Sequence, residues 1–258
     1  MAADKSESLE VVNSGIDWQL RRIYWGSLDK SDSEDKSEFC WATVEHMVRA
    51  MHKMYQINNK PIELHFNSPG GDVYDMLRLM DEIESAPCQI RFIGSGIIAS
   101  AATWIMCVSD HRSLHKNTVV MLHDGHEGFI GSHTDTQIAA SHNRQLQDRL
   151  YEVFAANSRM PTVFWQDLMQ RDLYLRADEA KMLGLCDEVI EPRKRGGVRK
   201  SRQAILSNHP DPSELQKLTK ELYKRIDRRK PSKLDISYKQ EEVEEALVET
   251  HVDAPVEG

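Results

Sequence analysis

Ile62-Glu63-Leu64-His65-Phe66-Asn67-Ser68-Pro69-Gly70-Gly71-Asp72 is the stretch on which the fold turns. Its first five residues alternate apolar and polar, as a strand with one buried face does. The next six form a turn cluster, and paired glycines after a strand let a backbone approach a ligand closely and expose amide donors. Downstream, Val73, Met76, Leu77, Met80 and Ile83 fall at helical spacing. The same order then repeats. Ile90-Arg91-Phe92-Ile93 reads as a strand broken by Gly94 and Gly96, a small-residue helix covers Ala99 to Cys107, and Val119 to Leu122 is apolar on both faces, the mark of a deeply buried strand. Repeated strand, turn and helix predict an α/β domain whose parallel strands cross over through helices.

Upstream, the chain up to about Gly15 reads as a mobile arm, and Ile23 to Trp25 as a short strand closed by Gly26. Ser27 to Ser37 is a charged loop. Trp41, Val44, Val48, Met51 and Tyr55 mark a helix with one buried stripe. A long periodic stretch runs from Gln137 to Asn157, with Ile138, Leu146, Leu150, Val153 and Phe154 on one side. Two shorter helices and a strand over Leu185 to Ile190 finish the domain near Glu191.

The composition then changes. Arg193 to Arg202 holds six basic residues and no acid, a linker or anion-seeking patch. Asp211-Pro212-Ser213-Glu214 carries cap, first-position proline and box partner of a helix. Leu215, Leu218, Leu222 and Ile226 follow at heptad-like spacing; so short a helix needs a partner surface. After Lys239 come seven acids and no Lys or Arg, a composition that predicts disorder. The expected organisation is an arm over 1–15, one domain over 16–191 and a tail over 192–258.

With 258 residues, 40% hydrophobic and 29% charged, the chain has the composition of a soluble globular protein. The start, Met1 to Glu10, lacks the basic and apolar run of a secretory signal. Gly96 to Val108 is too short to span a bilayer, so no membrane role is expected. A net charge of -8 argues against nucleic-acid binding by the whole chain. Cys40, Cys88, Cys107 and Cys186 are scattered without a CxxC pair and read as buried free thiols of a reducing cytoplasm.

Three segments offer what acyl transfer requires. Ser100 stands among small residues where a helix begins, and a helix start aims backbone N–H groups at developing negative charge. His123 ends a buried strand, facing the crevice where α/β proteins gather their chemistry. Gly70-Gly71 supplies backbone amides. Each feature has a plain structural alternative: a packing serine, a hydrogen-bonded imidazole, a tight turn. A metal pair of His123 and His126 lacks a completing carboxylate or cysteine, so no metal is assigned.

Together these segments resemble the proteolytic subunit of the Clp protease, ClpP. Asn67 to Gly71 resembles that family's oxyanion turn, and Gly96-Ile97-Ile98-Ala99-Ser100 its nucleophile segment. Asn117 through His123 is similar to its histidine strand, and Gln170-Arg171-Asp172-Leu173-Tyr174-Leu175 to the stretch carrying its aspartate. The likeness runs from about Arg22 to Glu191. It implies a ClpP/crotonase-like repeated β-β-α superhelix with a protruding handle helix over Gln137 to Asn157, followed by a helical and disordered tail. It implies a serine endopeptidase without cofactor: Ser100 as nucleophile, His123 as general base, Asp172 orienting the imidazole, and the amides of Gly71 and Ala101 as oxyanion hole. Gly70, Gly128, Phe129 and Ile130 would clasp an extended polypeptide by β-augmentation. Arg171 would make an oligomer contact in a homo-oligomer of one heptameric ring or two stacked rings, fed by an ATPase unfoldase.

The pattern is also departed from. Ala101-Ala102 replaces Met-Gly after the serine, Gly125 replaces a proline, Glu127 a glycine, and Gln170 an acid of the ring contact. A single ring or smaller oligomer is therefore open, as is a cytoplasmic, organellar or viral location. Crotonase-type acyl-CoA chemistry, a catalytically silent ring subunit and a viral capsid maturation protease are the competing readings.

Overall fold

The structure, a computed structural model, describes residues 14–25, 38–125, 128, 130–192 and 211–226. The N-terminal arm before Ser14, the loop over 27–37, His126, Glu127, Phe129, the basic patch over 193–202 and the acidic end lie outside the described residues.

An antiparallel pair, β1 (Ile16–Asp17) and β2 (Arg22–Tyr24), edges the main sheet. The sheet continues in parallel through β4 (Ile62–Ser68), β6 (Ile90–Ala99), β7 (His111–His115) and β10 (Glu188–Ile190). From β6 it also forks to β8 (Val119–Leu122), which pairs antiparallel with β9 (Leu173–Arg176). A small parallel pair joins β3 (Glu38–Phe39) to β5 (Gly70–Gly71). The helices are α1 (Trp41–Ile57), α2 (Val73–Glu84), α3 (Ala101–Val108), α4 (His133–Ala156), α5 (Thr162–Leu168), α6 (Ala177–Leu183) and α7 (Pro212–Ile226). This is the mixed α/β architecture that the strand and helix repeats predict.

Several local expectations need correction. The glycines do not break the strand at Ile93: β6 is continuous over ten residues. Its first half pairs with β7 and its second with β8, so the glycines mark the fork rather than an end. Between Phe66↔Gly94 and Ser68↔Ile98 the register shifts, because β6 carries a bulge. Asn67 fills it, its side-chain oxygen accepting from Ile97 N at 3.0 Å. A Cβ on Gly96, whose φ is +66°, would meet that oxygen at 2.5 Å. Helix α3 begins at Ala101 rather than Ala99, and β7 and β9 were not read from the sequence. Trp41 and Ile138, placed in buried stripes, are 69% and 63% exposed. In α1 the buried face is instead carried by Val44, Met47, Val48, Met51 and Met54.

One hydrophobic core joins the main sheet to the helices from α1 (Met51) to α7 (Leu222). Trp25 packs on Phe39 and Phe66, and Phe66 on Phe92, with ring centroids 4.4, 4.9 and 5.0 Å apart. That column fixes β3 beside β5, and so fixes the glycine turn. Helix α4 opens with Ser132 and Asp135 exchanging side-chain to backbone hydrogen bonds. It buries only Leu150, Tyr151 and Phe154 near its C-terminus, while its earlier turns project from the domain. At the far edge, Arg112 of β7 donates to both Asp187 oxygens and to Asn157 O, stitching β7, the approach to β10 and the end of α4.

The tail helix meets its partner surface within the same chain. Helix α7 lies against α5 and α6, burying Leu218, Leu222 and Tyr223, with Tyr223 edge-on to Phe164. Among the described residues, no helix is long and apolar enough to cross a membrane.

Candidate active site

Strand β8 acts as the ruler of the site. On one edge its register against β6 pairs Ala99 with Met121, and Ser100 N donates to Met121 O at 2.9 Å. On the other edge the antiparallel ladder pairs Leu122 with Leu173. One step further along that ladder brings His123 opposite Asp172. Residues remote in sequence therefore reach one spot at the ends of three adjacent strands.

The local backbone explains why the Ser100 hydroxyl is turned toward the histidine. Ser100 precedes α3, a position where a serine ordinarily accepts a hydrogen bond from the second or third helical amide. Here φ is 51° and ψ is −126°, and the side chain makes no cap bond. Such a conformation is strained for any residue with a Cβ. It is held by Ser100 N on β8 and by the Ser100 carbonyl, which accepts from Thr103 N and Thr103 Oγ1 at 2.8 and 2.6 Å. Relieved of capping, Ser100 Oγ lies 2.7 Å from His123 Nε2. On the far side of the buried imidazole, His123 Nδ1 lies 3.7 Å from Asp172 Oδ1, longer than a direct hydrogen bond. The Asp172 side chain is 47% exposed.

The glycine turn presses against the serine. A Cβ on Gly70 would sit 2.6 Å from Ser100 Cβ and 3.1 Å from Ala101 N. At Gly71 it would collide with the Phe39 backbone. Both positions have φ beyond +100°, so the sequence needs glycine there for space and for conformation. Ala101 opens α3, where an amide has no partner within the helix, and its side chain is buried. Asp72 terminates the turn by capping α2, accepting from Tyr74 N and Asp75 N.

Of the residues proposed from sequence, Ser100, His123, Asp172, Gly70, Gly71 and Ala101 converge. Gly128 and Ile130 are exposed outside any strand, Phe129 lies outside the described residues, and β5 pairs with β3 along one edge. Arg171 is exposed beside Asp172. Sequence reasoning placed Asn67 in the turn but not its hold on the β6 bulge, and missed Thr103, which holds the serine carbonyl. An asparagine facing a glycine pair across two strands was the available signal for the first.

Beside His123 a polar cleft of about 510 Å³ opens between Asp124 and Gly125, the α4 residues Arg144 and Asp148, and Gln166 and Gln170. Among the described residues no group of three or more His, Cys, Asp or Glu is placed to hold a metal ion. All four cysteines are free; Cys107 and Cys186 are buried, whereas Cys40 and Cys88, against expectation, are only half-buried at the ends of α1 and the approach to β6. Residues 36–193, well over half of the chain, match the family model described as Clp protease. That span contains β3 through β10 and every converging residue named above, and it excludes α7; the chain belongs to the Clp protease family.

Proposed function

We propose that the chain is a serine endopeptidase that hydrolyses unfolded polypeptides by acyl transfer through Ser100. The 2.7 Å contact between Ser100 Oγ and His123 Nε2, made by a serine whose strained backbone denies it the usual cap bond, carries this reading. The Ser100 hydroxyl donates to Nε2 and passes its proton there as Oγ attacks a peptide carbonyl. Asp172 holds Nδ1–H and stabilises the imidazolium; closing the 3.7 Å separation by under 1 Å makes that hydrogen bond direct. The developing oxyanion is met by the amides of Gly71 and Ala101, each such donor being worth about 3 kcal/mol in the transition state. The imidazolium then protonates the leaving amine, and water, deprotonated by the same imidazole, releases the acyl group. No step draws on a metal or organic cofactor.

Assembly of copies into a ring, one or stacked in pairs, fits the projecting α4 with Ile138 exposed and Arg171 exposed next to Asp172. An enclosed chamber served by an ATPase unfoldase would restrict the reaction to unfolded chains. Hydrolysis of a fluorogenic peptide and of an unfolded protein by the intact chain, abolished in Ser100→Ala, tests the activity. Equal turnover by that variant, or cleavage of acyl-CoA thioesters in place of peptides, would overturn it.

A further inference from the structure

The tail helix reaches both flanks of the segment that carries Asp172. That segment, 169–172, links α5 to β9. On one flank, Tyr223 of α7 stands edge-on to Phe164 of α5, ring centroids 6.0 Å apart. On the other, Arg225 Nη2 donates to Glu179 Oε1 at 3.0 Å. Glu179 is 3% exposed, and its second oxygen, Oε2, accepts from Arg176 N at 2.8 Å. Arg176 is the last residue of β9 and pairs with Val119 in the ladder whose opposite end aligns Asp172 with His123. A continuous path of hydrogen bonds thus runs from α7 through Glu179 to the strand that delivers the carboxylate. Helix α7 lies outside the span matched by the family model.

We propose that α7 is a brace that positions Asp172 against His123, with Arg225 as its positioning residue. The proposal rests on the peptidase reading of Ser100, His123 and Asp172. The charged groups facing Glu179 are Arg176 at 3.5 Å from its own turn and Arg225 from α7; Arg225 also meets Glu221 at 2.8 Å. Facing the imidazole are the Ser100 hydroxyl from the β6–α3 junction and the Asp172 carboxylate from the link just before β9. The contacts of α7 run to α5 and α6, and its influence on the site passes through them and β9. A loosened Asp172 stabilises the imidazolium less, which slows proton transfer and moves the His123 titration to lower pH.

The test is the rate of Ser100 phosphonylation by a fluorophosphonate, measured across pH in the full chain. Arg225→Ala is expected to slow labelling by about 3- to 10-fold and to shift the acid limb to lower pH, and Arg225→Lys to restore both in part. Leu222→Val, which thins the buried face of α7 without changing charge, is expected to move the rate the same way. In an Asp172→Asn background, Arg225→Ala is expected to add nothing, because the group it positions is gone. Equal slowing by Arg225→Ala in both backgrounds, or an unmoved acid limb, would overturn the brace. If the unaltered chain takes no label at Ser100, the peptidase reading itself fails, a result distinct from either.

Discussion

Gly70→Ala is the substitution whose consequences follow most fully from the geometry. The added methyl would lie 2.6 Å from Ser100 Cβ, 3.0 Å from Ala99 O and 3.1 Å from Ala101 N. Carbon atoms pack at about 3.5 to 4.0 Å, so Ser100 and the glycine turn must separate by roughly 1 Å. None of the three neighbours is the far end of a flexible chain. Two are backbone atoms, and the third is fixed by the Ser100 N to Met121 O bond. The φ of +110° adds backbone strain for an L residue. Strain of about 1 to 2 kcal/mol and overpacking of about 1 to 3 kcal/mol together predict a loss of about 2 to 5 kcal/mol in stability. A 1 Å misplacement of a reacting group costs about 100-fold in rate. Paired urea melts and kcat/KM on a peptide substrate measure both quantities. Gly125→Ala is the control: φ there is +90°, but nothing lies within 4 Å, so only the backbone strain remains. Wild-type stability and turnover in Gly70→Ala would refute the claim that the turn is wedged against the serine.

Three further outcomes follow from particular contacts. Ser100→Gly is expected to be more stable than Ser100→Ala by about 1 to 2 kcal/mol in thermal or urea melts, reversing the usual preference, because only glycine adopts φ 51° without strain; both variants are expected to be inactive. At Asp187, burial alone would push the carboxyl up, but hydrogen bonds from Arg112 and its charge hold it below the usual carboxylate range. A depressed folded pKa stabilises the protein above the unfolded value of about 4 and is lost as pH falls through the folded one. Asp187→Asn is therefore expected to cost about 2 kcal/mol at pH 7, the worth of a hydrogen bond to a charged group, with the gap to wild type closing below about pH 4 in melts run across that range. Burial pushes the Cys107 and Cys186 thiols up to about 12 and raises the half-buried Cys88 as well, so a thiol reagent at pH 8 is expected to modify Cys40 first, Cys88 more slowly, and Cys107 and Cys186 only in denaturant.

Periodicity made α1, α2 and β4 legible, because each buries a regular stripe; β8, read as buried on both faces from its unbroken apolar run, buries only Val120 and Leu122, and Val119 is 39% exposed. It failed where burial is not the local rule. Strand β7, His111-Arg112-Ser113-Leu114-His115, reads as polar, yet it pairs between β6 and β10, and its Arg112 pairs with Asp187, 75 residues away, where no sequence window reveals it. Strand β9 is four residues long and alternates only twice. Ile138 fits a helical stripe, but its helix outruns the domain that would cover it. The site was legible for another reason: a glycine pair, a serine between small residues and a histidine after an apolar run each need their residue type for space or for chemistry. What no pattern shows is the register along β8 that sets His123 between Ser100 and Asp172, because registers arise from pairing between distant strands.

The central claim is that Ser100 is a nucleophile activated by His123. Intact-mass and peptide-mapping mass spectrometry after fluorophosphonate treatment tests it most directly. A single adduct per chain is expected, on Ser100, formed in the unaltered protein and lost in His123→Ala. Absence of an adduct on the folded wild-type chain, or labelling of Ser100 that proceeds equally without His123, would contradict it.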